Sequence, residues 1–142
     1  VEQIKRVLGA GDSVSVVIVG AGNLGRALTY YGGFASGGFP IKGLVDSSPE
    51  VIGQEVAGIT VEPFEKLKDV VQKNSCTLGI IATPAAAAQL VADQLFDAGI
   101  YSILNFAPGL VAVPESVTLR KVDLATELHI LAFHEQQRER NE

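Results

Sequence analysis

The tightest constraint on the fold is Val14 to Gly25, reading Val-Ser-Val-Val-Ile-Val-Gly-Ala-Gly-Asn-Leu-Gly, where an apolar run stops at three glycines spaced G-x-G-x-x-G. The spacing predicts a strand, a tight turn and then a helix. Gly20 makes the turn, Gly22 lets the backbone come close to a pyrophosphate, and Gly25 lets the helix pack against the strand. The backbone N–H groups of Ala21, Gly22, Asn23 and Leu24 then face the phosphates at a helix start, whose dipole favours negative charge. Because glycine is common here, at 15 residues, the triplet alone says only that a phosphate-bearing ligand is expected.

The rest of the chain supplies context. A lead-in helix is expected over Val1 to Leu8, closed by Gly9 and Gly11, and the first strand over Ser13 to Val19, apolar throughout as a strand buried on both faces should be. Helix one starts near Asn23 and presents Leu24, Ala27, Leu28 and Tyr31 on one stripe before Gly32-Gly33 ends it, which turns Tyr31 inward. Ile41 to Val45 is a second strand, ending at Asp46. Ser48-Pro49 opens a short helix that Gly53 stops. Gly58 to Val61 is a third strand, and Pro63 opens a helix with the stripe Phe64, Leu67, Val70 and Val71, closed by Asn74. Thr77 to Ala82 is a fourth strand, and Thr83-Pro84 begins a long helix to Ala98 that Gly99 stops. Ile100 to Phe106 and Val117 to Val122 are the fifth and sixth strands. Such alternation defines an α/β fold: a Rossmann-like, doubly wound, mainly parallel sheet formed by a single domain over residues 1–142.

The last segment, about 123–140, reads as a helix of unusual pattern. Leu124, Leu128, Leu131 and Ala132 make one stripe, whereas Ile130 and Phe133 lie on the other side. A helix apolar on two sides wants two partners, so a homodimer through this C-terminal helix is expected.

Composition narrows the function classes. The 142 residues carry a net charge of −5, and no stretch gathers the Lys and Arg that a phosphate backbone needs, so this chain by itself should not grip nucleic acid. No apolar run is long enough to span a membrane. Cys76 is single, which excludes a disulfide framework and a cysteine metal pair and makes a reducing, cytoplasmic setting the default. The chain begins at Val1, contains no methionine and has no signal-like start, which reads as a piece of a longer protein.

The candidate site follows from the strand ends. Asp46 lies 21 positions beyond Gly25 and closes the second strand, the place of the carboxylate that holds the adenosine ribose in NAD-binding folds, with Ser47 beside it; an exposed turn aspartate is the alternative. Asp46 would repel a 2′-phosphate and no Arg or Lys follows within Ser47 to Gln54, so NADH and NAD+ are favoured over their phosphorylated forms. Ala82-Thr83-Pro84 ends the fourth strand and Asn105-Phe106 the fifth, both at the carboxyl edge where open sheets bind ligands. Thr83 reads equally as a helix cap, Pro84 as a first helical residue and Phe106 as core. Catalytic machinery is scarce: a dehydrogenase needs a proton donor or acceptor beside the nicotinamide, yet both histidines, His129 and His134, lie on the last helix and no substrate domain follows. No catalytic residue and no metal site is expected.

The runs Val19-Gly-Ala-Gly-Asn-Leu-Gly-Arg-Ala-Leu, Tyr31-Gly-Gly-Phe34, Ile103-Leu-Asn-Phe-Ala-Pro108 and Val122-Asp-Leu-Ala-Thr-Glu-Leu128 resemble, across essentially the whole chain, the cofactor domain of the Rex family of redox-sensing transcriptional repressors. The resemblance implies a homodimer that senses the ratio of NADH to NAD+, with NADH favouring a closed dimer released from operator DNA. It implies a C-terminal helix swapped onto the partner subunit and an N-terminal winged helix that reads DNA, which has no counterpart in this sequence. It places Gly20, Gly22, Asn23 and Leu24 at the pyrophosphate, Asp46 at the ribose, and Thr83, Pro84, Asn105 and Phe106 near the nicotinamide. Tyr31 and Asp123 match a tyrosine and an aspartate that pair in one state; where some members carry an aromatic after that aspartate, this chain has Leu124. Two other readings remain open from the residues: a small NAD-dependent oxidoreductase or a fragment of one, and a CoA-binding Rossmann domain.

Overall fold

The computed structural model describes residues 13–141, and within its last helix the side chains of residues 124–127 and 140–141 lie outside the description. The lead-in helix expected over Val1 to Leu8 falls outside the described residues.

Strand β1 (Val16–Val19) is central and runs parallel to β2 (Ile41–Asp46) on one side and β6 (Leu78–Ile81) on the other. Beyond β2 lies β5 (Glu62–Pro63). Beyond β6 lie β7 (Ser102–Asn105) and β8 (Thr118–Lys121), giving a six-stranded parallel sheet ordered β5-β2-β1-β6-β7-β8. Helices α1 (Asn23–Tyr30) and α2 (Gly32–Ser36) follow β1, α3 (Leu67–Lys73) follows β5, α4 (Ala85–Asp97) follows β6, and α5 (Leu124–Asn141) leaves the sheet after β8. The strand order reverses between β1 and β6, which puts a crevice at the carboxyl ends of those two strands.

Alternate residues of the strands bury on opposite faces. Val17, Val19, Val45, Ile81 and Ile103 pack with Leu67, Val70 and Val71 of α3 and Val91 and Leu95 of α4. Val16, Ile18, Leu44 and Ile80 face the other way, toward Leu28 of α1 and Phe39. On that second face the covering is incomplete. A groove of about 310 Å³ is lined by Val16, Phe34, Phe39, Leu78, Ile80 and Leu104, and a smaller one runs from Leu78 and Leu104 to Thr118 and Arg120.

Several expected boundaries shift, each for a local reason. Helix α1 turns Gly25 and Thr29 to the sheet rather than Leu24, Ala27 and Tyr31. Residues i and i+4 share a face, and Gly25 must lie inward because a Cβ there would overlap the Gly20 carbonyl. Tyr31 is therefore 59% exposed, and its ring meets Phe34 edge-on at 4.9 Å. Gly32 does not end the helical region but starts α2. The helix expected after Ser48-Pro49 is a single turn, in which the Ser48 carbonyl accepts from the N–H groups of Val51 and Ile52 before Gly53 reverses the chain at φ +91. The strand expected over Gly58 to Val61 is β4 (Ile59–Thr60), but it pairs in a hairpin with β3 (Glu55–Val56) apart from the main sheet, whose strand beside β2 is β5. Pro84 caps α4 in extended geometry and is not its first helical residue.

Candidate functional site

The glycine turn is built as its spacing requires. The N–H of Gly20 donates to the Val45 carbonyl at 2.8 Å and that of Ala82 to the Val19 carbonyl at 2.8 Å, so the turn hangs from the ends of three strands. Gly20 has φ +117, and a Cβ there would stand 2.5 Å from the Ala82 carbonyl oxygen; both conditions demand glycine. At Gly22 nothing lies within 4 Å of a Cβ position, so its surface opens outward to whatever approaches. Gly22 is also the N-cap of α1 and offers no side-chain bond, and the first turn holds no acidic residue. The N–H groups at that end stay available for an anion.

Asp46 fastens this turn. One carboxylate oxygen accepts from the Ala21 N–H at 2.6 Å and the other from the Ser48 N–H at 2.8 Å. Each oxygen retains a lone pair, so a ribose diol can still donate to the carboxylate. Asp46 and Ser47 line a cleft of about 260 Å³ together with Gly20, Gly22, Ala82, Thr83 and Pro84. Its apolar side is formed by Phe64, Ala87, Leu90 and Val91. Sequence reading placed Phe64 in a core stripe and passed over Leu90; the half-exposed Leu90, at 55%, is a signal that only the fold makes visible.

Two buried polar atoms in this region have no protein partner: the Thr83 hydroxyl and the Asn105 side-chain amide nitrogen. Thr83 therefore does not cap α4. Asn105 is fully buried, pairs across the sheet with Ile81, and uses its side-chain oxygen to accept from the Ala107 N–H at 2.9 Å. A buried donor without an acceptor costs about 1–3 kcal/mol. A water or ligand polar group at the β6 and β7 ends would offset that cost. Phe106 packs as a half-buried member of the second core face.

The structure thus brings Gly20, Gly22, Asp46, Ser47, Ala82, Thr83 and Pro84 around one cleft, with Ala21 buried in the turn and bonded to Asp46, and with Asn23, Leu24 and Gly25 in the adjoining first turn of α1. Asn105 and Phe106 stand on the next strand. Tyr31 and Asp123 are exposed and do not line the cleft. His129 and His134 lie exposed on α5. Among the described residues no His, Cys, Asp and Glu cluster could hold a metal. The donor set fits a dinucleotide: free N–H groups at the start of α1 for phosphates, a carboxylate for a ribose, apolar side chains for a planar base, and the unpartnered Thr83 hydroxyl.

These features define a Rossmann-type nucleotide-binding domain, and residues 12–109 match the family described as CoA binding domain. Within that class the chain belongs to the Rex family of redox-sensing transcriptional repressors. It is 54% identical over 97% of its length to the redox-sensing transcriptional repressor Rex of Streptomyces coelicolor, covering 54% of that protein. It is 46% identical over 92% of its length to that of Desulfitobacterium hafniense, covering 62% of it. Among solved structures, RSP, a Rex-family repressor, in complex with NADH superposes with a TM-score of 0.86 at 33% identity, over 97% of this chain and 67% of RSP. RSP with NAD+ and operator DNA gives 0.84, over 97% of this chain and 64% of RSP. The chain spans about half the length of the Streptomyces relatives it matches. No described helix is long and apolar enough to cross a membrane.

Proposed function

We propose that this chain is the NAD(H)-binding, redox-sensing and dimerisation part of a transcriptional repressor that works in the cytoplasm. The observation that carries the reading is Asp46, which is bonded to the glycine turn and lines one cleft together with Gly20, Gly22 and Thr83, whose buried hydroxyl has no protein partner. Asp46 and Ser47 hold the adenosine ribose, the turn from Gly20 to Leu24 holds the pyrophosphate, and Thr83, Pro84, Asn105 and Phe106 surround the nicotinamide. Family membership supports a regulator over a catalyst. The RSP structures with NADH and with NAD+ plus operator DNA support the same cofactor pair here.

A sensor acts by differential affinity: NADH shifts a closed and an open dimer only as far as it binds one better than the other. The dimer forms through α5. That helix exposes Leu128, Ile130, Leu131 and Phe133, and the open groove over β1, β6 and β7 presents an apolar surface to receive a helix. Exchange of α5 between two copies satisfies both surfaces by one two-fold axis. Tyr31 of one copy and Asp123 at the root of the other's α5 then form the state-dependent pair. Contact with operator DNA belongs to the portion of the relatives' length that this chain does not span.

The test is calorimetric titration with NADH, NAD+ and CoA. Tight NADH with weaker NAD+ is the expected result, and equal affinity for both nicotinamide forms overturns the sensor. The CoA arm is included because the matched family bears that name; displacement of NADH by CoA would favour that reading instead.

A further inference from the structure

Strands β7 and β8 are joined by residues 106–117, a connection with neither helix nor strand. It starts at the carboxyl end of β7, next to the end of β6 from which Ala82 and Thr83 pass to the cleft. Loops of about a dozen residues in a compact domain commonly carry function, and a rigid scaffold positions them for it. One foot of this loop stands on the sheet. The Phe106 N–H donates to the Ile81 carbonyl at 2.9 Å, the Ala107 N–H donates to the Asn105 side-chain oxygen at 2.9 Å, and Ala107 is buried. Its other foot stands on α4. The Gln89 side-chain oxygen accepts from the Ala112 N–H at 2.9 Å, and the Gln89 amide donates to the Ala112 carbonyl at 2.8 Å and to the Asp93 carboxylate at 3.0 Å. A glutamine amide thus pairs with Ala112 as a neighbouring strand would, and an exposed side chain rich in rotamers is held in one geometry to do so. Val111 and Val113, on either side of Ala112, pack half-buried against the first core face. Their packing has no direction, whereas the paired bonds fix the register. Between the two feet the chain turns at Gly109, with φ +93.

We propose that Gln89 is a positioning residue for the nicotinamide end of the ligand: its amide latches the loop at Ala112, and so presets the backbone that runs on from Asn105 and Phe106 beside the cleft. This rests on the NAD(H) reading, which puts those two residues at the nicotinamide and Asp46 and the glycine turn at the adenosine and pyrophosphate. Helix α4 carries the latch, and Ala87, Leu90 and Val91 of the same helix line the cleft. The helix itself is fixed by Ala88, Val91, Ala92 and Leu95 in the core. Loss of the latch therefore frees the loop and leaves the cleft wall in place. A freed loop must be ordered again when the ligand binds, and that ordering is subtracted from affinity.

The experiment titrates NADH and ADP-ribose, which has the adenosine and pyrophosphate without the nicotinamide, into the full chain and into the variants Gln89→Met and Gln89→Glu. Methionine keeps the length and helix preference of glutamine without its amide; glutamate sets a carboxylate against the Ala112 carbonyl and Asp93. Either variant should weaken NADH about tenfold while changing ADP-ribose less than about twofold, with faster amide hydrogen exchange at Ala112. Unchanged NADH affinity overturns the proposal, as does unchanged exchange at Ala112. Equal weakening of both ligands overturns it too, since that is what a merely structural role produces. If neither variant folds, the unaltered chain decides: NADH should slow exchange at Ala112 more than ADP-ribose does, and equal slowing overturns the proposal. An unaltered chain that binds NADH alone overturns the division of the ligand on which the latch depends. One that binds neither overturns the NAD(H) reading itself, a result separate from the failures above.

Discussion

The carboxylate of Asp46 accepts a 2.6 Å hydrogen bond from the backbone N–H of Ala21, so the acid at the end of β2 is bonded to the glycine turn at the end of β1. One side chain thereby holds the glycine turn and lines the cleft proposed to take the ribose. Asp46→Ala should weaken NADH at least about tenfold and also lower stability by about 1–3 kcal/mol, because the N–H of the fully buried Ala21 loses its acceptor. Calorimetry and urea unfolding on the same protein check both parts. Full retention of stability would remove the structural half of this role.

The second and third glycines of the turn should fail differently. A Cβ at Gly25 would overlap the Gly20 carbonyl, a backbone atom with nowhere to move, so Gly25→Ala should destabilise the fold itself. At Gly22 a Cβ meets nothing within 4 Å. Gly22→Ala should therefore keep its thermal midpoint while losing affinity for NADH, since the new methyl stands where the pyrophosphate approaches. Thermal unfolding beside titration separates the two.

The proposed dimer rests on the exposed apolar residues of α5. Leu128→Asp together with Leu131→Asp should yield a monomer in light scattering, with an intact sheet by circular dichroism. A dimer that survives both charges would place the interface elsewhere.

Cys76 gives a pH signature. Burial pushes its thiol up to about 11 from an ordinary 9.0, with the charge of Lys42 offsetting part of the rise. The unfolded chain then releases the thiol proton first, so this group's contribution to stability is intact below pH 9 and falls as pH rises from about 9 to about 11. Native protein at pH 8 should resist thiol-modifying reagents until denaturant is added; rapid labelling of the folded chain would contradict this placement.

The order of strands and helices was legible because buried parallel strands read as continuous apolar runs: Val16 to Val19, Leu44-Val45 and Ile80-Ile81 are apolar on both faces. The phase of α1 was not legible. Its apolar stripe pointed to Tyr31, but the close contact of Gly25 with Gly20 set the rotation, and a glycine carries no hydropathy signal. Of the hairpin over Glu55 to Thr60 only the second strand was legible; its partner Glu55–Val56 and the edge strand Glu62–Pro63 are two residues long, too short to show a period. At the site, the strand ends were found from their spacing, whereas Phe64 and Leu90 join it only through the third dimension.

Gly20 has a further consequence in time. The turn appears early in the chain, yet β1 lies between β2 and β6, and Gly20 is seated against the carbonyl of Ala82. During synthesis, which proceeds from the amino end at about 5–20 residues per second, the glycine turn is made some sixty residues before the Ala82 carbonyl against which it sits. The turn takes its final seat only when β6 joins β1, so a nucleotide should bind the finished sheet and not the nascent turn.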